Sequence, residues 1–141
     1  MFRIVGRILL GVLPLILLAC SHKSLFRYEE QTKGSFVSAR LTYPAHNQTR
    51  GMELQFLMSK SGLETSLSIF AGRFSSLKES SRISPIVLMY NGEKRILPAY
   101  LMEGAQRVRL TEESSQILIQ HLLEGHTLTL YSGSHIEEID P

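Results

Sequence analysis

Residues 86–101 read IVLMYNGEKRILPAYL. Ile86 to Tyr90 is a β-forming run, Asn91-Gly92 fits a two-residue turn, and Glu93 to Leu101 supplies the returning strand. Asn-Gly tolerates positive φ at both central positions of a type I′ turn, whose twist matches that of a hairpin. Pro98 has no amide donor, so the returning strand is expected at a sheet edge or bent there.

The same period of two runs through the residues on the amino-terminal side. Val37, Ala39, Leu41 and Tyr43 alternate with polar residues, and Pro44 closes the run. Met52, Leu54, Phe56 and Met58 alternate likewise, as do Leu63, Thr65, Leu67, Ile69 and Ala71. Ser59-Lys60-Ser61-Gly62 between them makes a short hairpin turn. Residues 72–84, GRFSSLKESSRIS, are Ser-rich and read as a mobile loop.

On the carboxyl-terminal side Gly104 marks a turn, and Arg107 to Leu110 alternates with Val108 and Leu110 inward. One segment changes period. Thr111 is a fitting N-cap, Glu112 and Glu113 sit in the first turn, and Leu118, Ile119, Leu122 and Leu123 form an apolar face. Gly125 ends this helix. Thr127 to Tyr131, a Ser132-Gly133 turn and Ser134 to Ile139 complete the chain. The expected fold is β-rich α+β. Seven to nine short antiparallel strands form a sandwich or partial barrel, with one helix near the carboxyl terminus.

The first 19 residues, MFRIVGRILLGVLPLILLA, follow different rules. Arg3 and Arg7 give a positive start, and Ile8 to Leu18 is an uninterrupted apolar run. That run has signal-peptide length and falls short of the roughly 20 residues needed to span a bilayer. Small Ala19 then precedes Cys20, the single cysteine of the chain. An exported domain with one thiol has no internal disulfide, so the thiol needs another use.

Leu17-Leu18-Ala19-Cys20 resembles the lipobox of bacterial lipoproteins. The resemblance covers residues 1–20, with Leu18 where a smaller residue is more common. It implies cleavage between Ala19 and Cys20, a diacylglycerol on the Cys20 sulfur and an acyl chain on its new amino terminus. It also implies a bacterial envelope location. Ser21 resembles the class passed on to the outer membrane, which is therefore favoured over the inner one. Two or three acyl chains suffice to hold a domain, since each buried methylene is worth about 0.8 kcal/mol.

These readings divide the chain into a signal peptide at 1–19, a lipidated cysteine and tether at 20–34, and one β-rich domain at 35–141. Within 21–34, SHKSLFRYEEQTKG, the embedded Leu25, Phe26 and Tyr28 leave two readings open, a solvated tether or a docked strand. With Arg3 and Arg7 set aside, 13 basic residues face 13 acidic ones. A near-neutral body gives no basis for a nucleic-acid partner.

Motifs for chemistry are sparse. The five histidines form no HExxH or Cys/His cluster, so no metal and no cofactor beyond the lipid is expected. His121, Glu124 and His126 gather around the helix end. They read either as a small site or as favourable charges at a helix C-terminus. No GxSxG or SxxK motif appears, and no catalytic residue is assigned. Arg73, Lys78 and Arg82 in the 72–84 loop, with Arg107 and Arg109 on one strand face, make the candidate binding surface. Its ligand would be an anionic glycan, a lipid headgroup or a partner protein. The expected role is a non-enzymatic interaction or structural module with an envelope protein partner. The alternatives are a binder of an envelope enzyme through the 72–84 loop and a cell-wall hydrolase using His121 and Glu124.

Overall fold

The computed structural model describes residues 26–34 and 36–141. Its strands are β1 (Arg27–Lys33), β2 (Phe36–Tyr43), β3 (Glu53–Ser59), β4 (Gly62–Ser68) and β5 (Ile83–Tyr90). They continue with β6 (Glu93–Leu101), β7 (Arg107–Leu110), β8 (Leu128–Ser132) and β9 (His135–Ile139). Helix α1 (Glu112–Leu123) lies between β7 and β8. All nine strands join one antiparallel open sheet in the order β1-β2-β3-β4-β7-β6-β5-β8-β9.

The Asn-Gly turn forms as its chemistry requires, with φ of 48° at Asn91 and 78° at Gly92. It pairs β5 with β6 from Ile83↔Tyr100 to Tyr90↔Glu93. Pro98, however, sits on an interior strand, between β5 and β7. The register shows why an interior proline is tolerated. Pro98 lies opposite Pro85, one position outside the β6–β7 ladder that begins at Ala99. Pro85 lies two positions outside the β5–β8 ladder that begins at Val87. Neither missing amide falls within the flanking ladder, so the two prolines share one gap.

Of the two readings left open for 21–34, Arg27–Lys33 takes the strand, paired along its length with β2. The sheet therefore starts eight residues before position 35.

The core is the face on which Leu54, Leu67, Ile86, Leu88, Leu97, Val108, Leu128 and Leu130 are buried. Helix α1 crosses that face because β7 and β8 are separated in the sheet by β6 and β5. Thr111 caps it, its Oγ1 accepting from Ser114 N at 3.2 Å. Leu118 is fully buried, with Ile117, Ile119 and Leu122 packed partly against the core. Leu123 was expected on this face but is 83% exposed. It follows Leu118 by five residues, about 140° around a helix at 100° per residue.

Alternation marks the face of a strand but not how far the cover extends. Val37, Met58 and Leu63 share the inward phase of their strands, yet are 59%, 50% and 43% exposed. Met58 pairs with Leu63 and with Ala39, at the ends of β2, β3 and β4 away from the buried core residues. The result is an uncovered apolar cluster.

The 72–84 segment is not the unanchored loop its serines suggest. Phe74 is buried in the core, Phe74 N donates to Ala105 O at 2.7 Å, and Leu101 N donates to Arg82 O at 2.6 Å. Its last residues already belong to β5.

Tyr43 is also buried in the core, and burial pushes its hydroxyl above the ordinary tyrosine value. The unfolded chain then releases this proton first. Its contribution is complete below about pH 10 and declines as pH rises toward the folded value. Urea midpoints measured between pH 9 and 11 are expected to fall, and to fall less in Tyr43→Phe.

Candidate functional site

Of the five arginines and lysines assigned to a binding surface, the structure brings three together. Arg73, Arg82, Met102, Glu103 and Ala105 line a groove of about 520 Å³. A smaller one of about 330 Å³ continues from Arg82 to Tyr100 and Arg109. The Arg109 guanidinium carbon lies 5.9 Å from the centre of the Tyr100 ring, within cation–π range. Arg73 and Arg82 have no carboxylate partner among the described residues. Lys78 lines neither groove. Arg107 is engaged elsewhere, its Nη2 donating to Gln55 Oε1 at 2.9 Å and Ser66 Oγ at 3.0 Å. It braces the sheet across β3, β4 and β7. Ala19 and Cys20 lie outside the described residues.

The histidines at the helix end form a tighter assembly. Gly125 has a φ of +81°, and His126 N donates to His121 O while Gly125 N donates to Leu122 O. Those two bonds define a Schellman motif, which turns the chain back so that the third-last helical residue meets the second residue after the cap. An apolar pair frequently meets at this place. Here two imidazoles do, with His121 Nδ1 3.3 Å from His126 Nδ1. Glu124 Oε2 lies 3.4 Å from His126 Nδ1, and Gln120 Nε2 donates to the other carboxylate oxygen at 3.2 Å. Tyr90 stacks on the His126 ring at 4.3 Å and leans against His121 at 4.4 Å. Its hydroxyl lies 3.0 Å from His126 Nε2. One donor atom from each of His121, Glu124 and His126 falls within 4.8 Å of the others.

One buried carboxylate escaped sequence reasoning. Glu137 stands with Glu138 and Asp140 in an acidic carboxyl-terminal stretch, yet it is 2% exposed. Its oxygens accept from Met52 N at 3.0 Å and His46 N at 3.1 Å, and they also contact His46 Nδ1. Gly51 makes room for this seat, since a Cβ there would stand 2.6 Å from Glu137 Oε2 and 2.5 Å from Asn47 O. The signal was present in the period of β9. Glu137 shares a face with Ile139, which is 1% exposed, and not with Ile136, which is 45% exposed. All of its partners, His46 and Met52, come from the β2–β3 connection, so it fastens β9 to that loop rather than facing a cavity.

The chain matches no known protein family, no curated protein and no solved structure.

Proposed function

We propose that the chain is a bacterial envelope lipoprotein, held to a membrane through lipid on Cys20 and acting as a non-enzymatic interaction module. One observation carries the reading: the single cysteine closes a positively charged, then apolar, leader of signal-peptide length at Leu17-Leu18-Ala19-Cys20. Acylation accounts for an exported thiol that has no partner cysteine. The outer membrane is favoured over the inner one because Ser21 follows the cysteine.

Two surfaces support a docking role. The exposed cluster of Val37, Met58 and Leu63 is of the apolar kind that marks protein contacts. The Arg73–Arg82 groove suits an anionic group of an envelope protein partner. A second reading, insertion of the 72–84 loop into an envelope enzyme, is favoured by one feature. Phe74 anchors the loop while Leu77 stays 60% exposed at its outer part.

The same proposal takes the sheet as a partial barrel. Ile136 N of β9 donates to Arg50 O at 2.8 Å, and Glu137 reaches the same β2–β3 connection, which supports a curl of one sheet edge toward the other half.

The test is metabolic labelling with palmitate. The wild-type chain is expected to incorporate label and to stay with membranes after a salt wash. Cys20→Ser is expected to incorporate none and to accumulate as precursor. Label persisting in Cys20→Ser would remove the proposal.

A further inference from the structure

We propose that His121, Glu124 and His126 bind a divalent transition-metal ion of the zinc class, with a fourth position left to water or to a partner's side chain. A tetrahedral zinc site with bonds of roughly 2.0–2.1 Å has edges of about 3.3 Å. The cluster supplies two such edges: 3.3 Å between the two Nδ1 atoms and 3.4 Å from His126 Nδ1 to Glu124 Oε2.

The surroundings prepare the ligands. The Tyr90 oxygen is placed to accept from His126 Nε2–H, which leaves the Nδ1 lone pair directed at His121 and Glu124. Tyr90 also packs against both imidazoles and limits their rotation. Gln120 holds Glu124 Oε1 and leaves Oε2 toward the cluster. The site lies at the C-terminal end of α1, where the helix dipole attracts a cation. Two imidazoles and one carboxylate are the donor set of known three-ligand zinc sites that keep a position open.

A search for metal motifs passes over this spacing for a physical reason. Standard histidine pairs lie one turn apart on one helix face, whereas this pair straddles a Schellman cap. The reversal of the chain at Gly125, not helical period, brings the two rings together.

The test uses the full chain in detergent, purified without a polyhistidine tag and titrated with zinc chloride by calorimetry. One zinc ion per chain is expected. His121→Ala and His126→Ala should each weaken binding at least about tenfold, the cost of losing even an outer-shell partner. Glu124→Gln changes a half-exposed side chain, so its circular dichroism should stay unchanged while zinc binding weakens. His22→Ala, two positions after Cys20 in the sequence, should bind as the parent does. Absence of saturable binding, or binding that survives both histidine substitutions, would overturn the site. So would binding lost in His22→Ala, which would assign the ion to the amino terminus.

Discussion

Glu137→Ala is expected to lower the melting temperature by about 10 °C. The carboxylate is buried and accepts from two backbone amides, of Met52 and His46, and from the His46 ring. Removing it leaves the Met52 and His46 amides facing a void sized for a carboxylate, while the half-exposed His46 ring can turn to water. Each unsatisfied buried group costs about 1–3 kcal/mol, so a loss of about 3 kcal/mol is a central expectation. For a domain of this size that loss corresponds to the stated change in melting temperature. Glu137→Gln keeps one accepting oxygen and turns the other position into a donor, so it should fall between the two. Thermal unfolding followed by circular dichroism decides the matter. A melting temperature unchanged in Glu137→Ala would mean that the carboxylate holds nothing.

Leu118→Ala should cost about 2–5 kcal/mol, the range for truncating a fully buried leucine. Leu118 is 0% exposed and is the most deeply buried apolar side chain of α1. Its neighbours are strand residues of the sheet face, held by their own ladders, so they have little freedom to collapse into the space. Leu123→Ala is the matched control. That side chain is 83% exposed, and its truncation should stay within about 0.5 kcal/mol. Urea midpoints of the two variants measure the contrast. Equal effects would mean that the helix is rotated from the orientation described.

Much of this architecture could be read locally. The Asn91-Gly92 turn, the 59–62 turn, the Thr111 cap and the Gly125 stop depend on neighbours in sequence, and each forms where its chemistry requires. What escaped was set by distant partners. Pro98 argued for an edge because nothing in its own strand reveals that Pro85 faces it, or that the flanking ladders begin just beyond both prolines. Phe74 looked like one apolar residue in a serine-rich loop, because its place in the core is fixed by the β4-to-β5 crossing. Glu137 was passed over because a carboxylate with acidic neighbours is normally solvated; the donors that compensate its burial lie 85 and 91 positions away in the chain.

The site residues divide in the same way. Arg73, Arg82 and Arg109 converge on two adjoining grooves, while Arg107 is spent on bracing strands and Lys78 stands apart. Sequence could name basic residues but not which would find internal partners. His121, Glu124 and His126 were grouped correctly as neighbours of the helix end. The contribution of Tyr90 was hidden, because it arrives from β5, 36 residues before His126.

The most direct test of the lipoprotein account is the intact mass of the chain extracted from its native membrane. The account predicts a polypeptide that begins at Cys20 and carries the added mass of a diacylglycerol and an amide-linked acyl chain. A polypeptide that begins at Met1 with an unmodified thiol would contradict it.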